Sequence, residues 1–161
     1  MNIQFILNGR PVSIETSPMT PLSEILRNEF GLHRNFRGCG NGFCGRCIVL
    51  VDNEAVTSCL QPVFRIKGKS VLTYEGFSGS EDCRDIEAGF EEARFVPCPV
   101  HRPGYIFLVH SLLEKTSHPG NEEVAPVFSG FHPVCGGYSA LLEGVKKAAL
   151  RRFTRHNEQT R

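Results

Sequence analysis

Apolar residues alternate at the start of the chain. Ile3, Phe5 and Leu7 occupy every second position, and Val12 and Ile14 repeat that period after a break. The spacing predicts two strands, each turning one face to a core. Between them, Asn8-Gly9 supplies two residues that tolerate positive φ, as a two-residue hairpin turn requires. The period then lengthens. Leu22, Ile25, Leu26 and Phe30 share a helical face, with Thr20 as the expected cap, Pro21 at the first position and Gly31 at the exit. After a loop rich in glycine and cysteine, Ile48–Val51 and Ala55–Cys59 predict strands around Asp52-Asn53, and Ser70–Tyr74 a last strand. The first half therefore reads as a small mixed sheet with a helix across it.

The stretch Glu75-Gly76-Phe77-Ser78-Gly79-Ser80-Glu81 reads as a linker. Beyond it the pattern is helical. Ile86, Phe90 and Ala93 share a face, as do Ile106, Val109 and Leu113. A short helix is expected after Asn121, with Glu122 and Glu123 in its first turn, where acids suit the helix dipole. Leu141, Leu142, Val145, Ala148 and Ala149 form the clearest apolar stripe. The expected fold class is α+β, with a sheet-and-helix domain over residues 1–76 and a four-helix bundle over residues 82–155. The basic tail Arg151-Arg152-Phe153-Thr154-Arg155 reads as a solvated helix end.

Composition narrows the function classes. The net charge is +1, with 18 basic and 17 acidic residues. That balance gives no electrostatic reason to expect nucleic acid or an anionic membrane surface as partner. No apolar run approaches the roughly 18–20 residues of a membrane span, and the N-terminus lacks signal-peptide character. A cytoplasmic location is expected. The cysteine count is seven, an odd number for a closed disulfide framework. In a reducing compartment such clustered thiols point to metal binding.

The chemistry is concentrated in one constellation. Cys39, Cys44 and Cys47 form C-x4-C-x2-C, and Cys59 follows after eleven intervening residues. This is the spacing of plant-type [2Fe–2S] ferredoxins. Three ligands from one loop wrap the cluster, and a fourth comes from a separate strand. Gly38, Gly40, Gly42 and Gly45 let the backbone turn tightly and bring N–H groups toward the cluster sulfurs. The corresponding reduction potential is about −400 mV. The alternative from another class is a structural zinc site on the same four cysteines, in a zinc-stabilised interaction module. Only Cys44 and Cys47 have the close spacing of a zinc knuckle.

The run Gly38-Cys39-Gly40-Asn41-Gly42-Phe43-Cys44-Gly45-Arg46-Cys47-Ile48-Val49-Leu50-Val51-Asp52, continued by Ser58-Cys59-Leu60, resembles the small iron–sulfur subunit of molybdenum hydroxylases. These are the xanthine dehydrogenase, aldehyde oxidoreductase and carbon monoxide dehydrogenase group. The likeness extends upstream to Leu7-Asn8-Gly9-Arg10-Pro11-Val12 and Pro21-Leu22-Ser23-Glu24-Ile25-Leu26-Arg27. It implies a β-grasp ferredoxin domain followed by a four-helix domain. It also implies a role as the electron-transfer subunit of a multi-subunit oxidoreductase, with no substrate site or catalytic residue of its own. Flavin-binding and molybdopterin-binding subunits are the implied partners, carrying FAD and molybdopterin.

In that family the helical domain holds a second [2Fe–2S] cluster, and here the pattern departs. The family's Gln-Cys-Gly-Phe-Cys-Thr-Pro-Gly corresponds to Pro97-Cys98-Pro99-Val100-His101-Arg102-Pro103-Gly104. Its later Cys-Arg-Cys-Thr-Gly-Tyr corresponds to Pro133-Val134-Cys135-Gly136-Gly137-Tyr138. Cys98 and Cys135 remain of four ligands, so one cluster is expected in all. Cys98-x2-His101 and His132-x2-Cys135 could together supply a tetrahedral zinc set or Rieske-type donors. The reading preferred on sequence is that Cys98 and Cys135 are relics packed between helices, with the histidines on the surface. A one-cluster carrier or docking protein, no longer tied to molybdenum, is the alternative function. Cys83 reads as an ordinary free cysteine, and His33, His110, His118 and His156 as surface or packing residues.

Overall fold

The computed structural model describes residues 1–32, 38–130 and 135–160. The chain divides into two compact units, Met1–Phe77 and Ser78–Arg161.

The first unit is a five-stranded β-grasp sheet: β1 (Asn2–Leu7), β2 (Arg10–Glu15), β3 (Ile48–Val51), β4 (Glu54–Thr57) and β5 (Ser70–Leu72). Their order across the sheet is β2-β1-β5-β3-β4. β1 and β5 run parallel, and the other neighbours antiparallel. Asn8 and Gly9 have φ of 50° and 78°, and Asp52 and Asn53 have φ of 49° and 67°. Both hairpins therefore use the turn whose twist matches the strands. Asn8 also closes the sheet, because its Oδ1 accepts from the Thr73 N–H at 2.9 Å and its Nδ2 donates to Thr73 Oγ1 at 3.1 Å. Helix α1 (Leu22–Asn28) sends Leu22, Ile25 and Leu26 into one core with Ile3, Phe5, Leu7, Val49, Val63 and Val71. Each such side chain removed from water contributes about 1.5–3 kcal/mol.

Three local expectations are corrected. Thr20 does not cap α1. Pro21 holds that position, and the Leu22 N–H donates to the Gln61 carbonyl at 2.8 Å. β4 stops at Thr57, and Ser58–Leu60 form a 3₁₀ turn. Part of the expected linker is ordered: Tyr74–Phe77 form α2 with Phe77 buried, and the Ser80 hydroxyl accepts from the Cys83 N–H at the start of the next helix.

The second unit is a bundle of α3 (Glu81–Glu92), α4 (Arg102–Leu113), α5 (Asn121–Phe128) and α6 (Tyr138–Gln159). α4 is buried almost all round, including Pro103 and Gly104 in its first turn. Rings of Phe90, Phe95, Tyr105 and Phe128 pack in sequence, with centroids 5.0, 5.1 and 5.8 Å apart. The basic tail is helical and mostly exposed, as expected, but its arginines are paired. Arg155 Nε donates to Asp85 at 2.7 Å and Nη1 to Glu81 at 3.1 Å, while Arg151 pairs with Glu92 and Arg152 with Glu114. His110 is buried beside Asp82, with Nδ1 3.6 Å from its carboxylate. Burial holds the imidazole below its ordinary pKa, outweighing the acids Asp82 and Glu114. Cys83 is fully buried, and burial pushes its thiol up to about 12, as suits a packing residue.

α3 and α6 touch through their backbones. A Cβ added at Gly89 would lie 2.5 Å from the Ala148 nitrogen and 2.8 Å from the Gly144 oxygen. On an open helix, Gly→Ala adds up to about 1 kcal/mol of stability. Here the sign reverses, because neither helix can yield locally. Gly89→Ala is expected to lower unfolding free energy by about 1–3 kcal/mol, the usual cost of overpacking. Urea titrations of the two proteins measure it, and equal or higher stability in the variant would contradict this packing.

Candidate metal centre

The loop between α1 and β3 carries three of the four motif thiols, and the turn after β4 carries the fourth. The Cys39 N–H lies 3.4 Å from Cys44 Sγ, and the Cys44 N–H lies 3.3 Å from Cys39 Sγ. This reciprocal pairing brings the two thiols together near the surface. The Asn41 N–H, aided by those of Cys44 and Phe43, draws the exposed Cys39 thiol down to about 7. Cys47 forms the second pair with Cys59. Cys47 is 3% exposed, and burial pushes its thiol up to about 11.

Sequence reasoning puts Cys59 on a strand, but it lies in the Ser58–Leu60 turn. Ser58 explains the difference. Its hydroxyl and its N–H both donate to the Cys47 carbonyl, at 2.6 and 3.0 Å. The two contacts fold the chain back on Cys47 and set Cys59 beside it. Ser58 is fully buried, and in the sequence only its place in Ser58-Cys59-Leu60 marks it.

The loop fits a bulky thiolate-bound group. A cleft of ≈ 500 Å³ is lined by Cys39, Cys47 and Cys59 together with Ser23, Glu24 and Arg27 of α1. At Gly38 a Cβ would lie 2.6 Å from Cys44 Sγ, so only glycine leaves that sulfur its place. Gly42 has φ of 87°, and its Cβ would meet Leu60 at 2.6 Å. The four thiols form two pairs, which is the donor arrangement two irons require.

The second unit holds another convergence. Cys98 Sγ lies 3.0 Å from His101 Nδ1. Cys135 Sγ lies 3.7 Å from Cys98 Sγ and 3.7 Å from His101 Nδ1. The His101 and Arg102 N–H groups both donate to the Cys98 carbonyl, closing a tight turn into α4. His101 is 6% exposed, so the expectation that it lies on the surface is corrected. His132 falls outside the described residues. Tyr105, which spacing alone does not mark, accepts from the Cys135 N–H at 2.9 Å through its hydroxyl. Burial raises the Tyr105 phenol above its ordinary pKa, keeping it protonated.

No protein-family model matches the chain. It is 32% identical to the nicotinate dehydrogenase small FeS subunit of Eubacterium barkeri, over 94% of this chain and 96% of that protein. It is 35% identical to the xanthine dehydrogenase iron-sulfur-binding subunit of Escherichia coli O157:H7, over 90% of this chain and 92% of that one. A chain of quinoline 2-oxidoreductase from Pseudomonas putida 86 superposes with a TM-score of 0.81 at 29% identity, covering 97% of this chain and 96% of that one. The length and fold agree with these relatives, and the chain belongs to the family of small iron–sulfur subunits of the molybdenum hydroxylases.

Proposed function

We propose that this chain carries one plant-type [2Fe–2S] cluster on Cys39, Cys44, Cys47 and Cys59 and passes electrons toward a flavin on a partner subunit. The observation that carries the reading is the division of the four thiols into two pairs, Cys39 with Cys44 and Cys47 with Cys59. Each pair would hold one iron. Such a cluster supplies one-electron transfer. The surrounding residues do the rest. The loop N–H groups offset thiolate charge, Gly38 leaves room for Cys44, and Ser58 fixes the spacing of Cys47 and Cys59.

The implied partners are a flavin-binding and a molybdopterin-binding subunit, which would hold FAD and molybdopterin. The names of the relatives, subunits of nicotinate and xanthine dehydrogenases, support an assembly of that kind. Among the described residues no helix is long and apolar enough to cross a membrane. We place the complex in the cytoplasm, where seven thiols persist reduced. One feature favours a second reading, a one-cluster carrier no longer tied to molybdenum: where the resemblance implies four cysteines for a second cluster, this chain has Cys98 and Cys135.

Replacing Cys44 by Ser is expected to remove or severely destabilise the cluster. Iron, acid-labile sulfide and visible absorption of the purified full chain measure the loss. Full occupancy with an unchanged spectrum would refute the assignment, and a colourless wild-type protein holding zinc on these thiols would favour the interaction module. The chain alone is expected to oxidise no organic substrate. Turnover of such a substrate with a dye acceptor, without any other subunit, would contradict a purely electron-carrying role.

A further inference from the structure

The helical unit holds three soft donors around one point, and their spacing distinguishes a single ion from a cluster. A tetrahedral zinc ion bonds sulfur at about 2.3 Å and imidazole nitrogen at about 2.0–2.1 Å. It therefore spaces two sulfurs about 3.8 Å apart, and a sulfur and a nitrogen about 3.5 Å apart. The three donor separations here are 3.7 Å between sulfurs, then 3.7 and 3.0 Å from each sulfur to His101 Nδ1. Opening the shortest by about half an ångström completes three corners of the tetrahedron. The loop thiols behave otherwise. Among the described residues, the groups of three or more ligating atoms lying within 4.8 Å of one another include Cys98, His101 and Cys135 but not the loop cysteines, which stand in pairs.

We propose that Cys98, His101 and Cys135 bind one zinc ion, in place of a two-iron cluster. Two thiolates cancel the charge of Zn²⁺, so the complex is neutral and cheap to hold at a half-buried position. Imidazole is a better third ligand for zinc than for a low-potential iron–sulfur cluster, whose irons are held by thiolates. The protein prepares the donors. The turn from Cys98 to His101 is closed by two N–H bonds to the Cys98 carbonyl, and α4 begins directly after it at Arg102. Tyr105, buried in the aromatic stack, fixes the backbone of Cys135 through its hydroxyl. The site thus joins the entry of α4 to the entry of α6. Among the described residues no fourth donor joins the three, and solvent reaches the two partly exposed cysteines.

A second candidate group, Asp82, His110 and Glu114, carries no such proposal, because Arg152 and Arg155 already neutralise its carboxylates.

The test uses the full chain, produced with iron and zinc both supplied. Zinc, iron and acid-labile sulfide are counted per chain, and the zinc environment is read by X-ray absorption at the zinc edge, which iron does not disturb. About one zinc is expected, with about two sulfur neighbours at ~2.3 Å and at least one nitrogen at ~2.0–2.1 Å. In His101→Ala, zinc retention against a chelator is expected to fall at least about tenfold, while the loop cluster keeps about two irons, about two sulfides and its visible spectrum. That separation keeps a failure at this site distinct from a failure of the loop assignment. Cys135→Ser, with circular dichroism as a check on folding, tests the second ligand. About four irons with four sulfides, a lone iron ion, or a folded wild-type protein without zinc would overturn the proposal. So would zinc retention unchanged in both variants.

Discussion

Thiolates repel one another, and a protein that gathers four of them must offset that repulsion before any metal arrives. The reciprocal N–H to sulfur contacts of Cys39 and Cys44 are the local answer. They aim backbone dipoles at the sulfurs, and they require a backbone that turns without side chains in the way. Gly38 and Gly42 meet that demand at the two places where a Cβ would strike Cys44 or Leu60. The Cys47–Cys59 pair depends on Ser58, whose two bonds to the Cys47 carbonyl hold the turn after β4 against the start of β3. β3 is buried at every position and paired on both sides, so it gives that pair a rigid base.

The same logic applies in the helical unit with different materials. Close backbone approach at Gly89 sets α3 against α6, and acidic residues of α3 receive the arginines of α6. α4 is enclosed by the bundle, and His101 at its entry faces Cys98 and Cys135. There Cys98, His101 and Cys135 bring three soft donor atoms within 3.0–3.7 Å of one another.

Much of this is legible in the sequence, and the omissions have physical causes. Alternation in β1, the two hairpins and the motif of Cys39, Cys44, Cys47 and Cys59 are local signals with short range. The start of α1 escapes a local reading because its cap comes from Gln61, nearly forty residues away in sequence. The turn at Cys59 escapes it because Ser58 answers to Cys47, not to its neighbours. The pairing of Arg155 escapes a local reading because its acids lie about seventy residues upstream, on another helix. α4 shows a one-sided stripe although it is buried nearly all round, since periodicity cannot report how many neighbours a helix has. His101 looks like a surface residue for the same reason: burial is decided by the bundle, not by the C-x2-H spacing.

The central claim is that the four motif cysteines form one electron-carrying site made of two thiol pairs. Electron paramagnetic resonance of the dithionite-reduced full chain, integrated against protein concentration, tests it most directly. A reduced [2Fe–2S] centre is paramagnetic, so the account predicts about one unpaired spin per chain, lost in Cys44→Ser and retained in Cys98→Ser. A fully metallated chain without a paramagnetic signal, or a signal that persists in Cys44→Ser and disappears in Cys98→Ser, would contradict it.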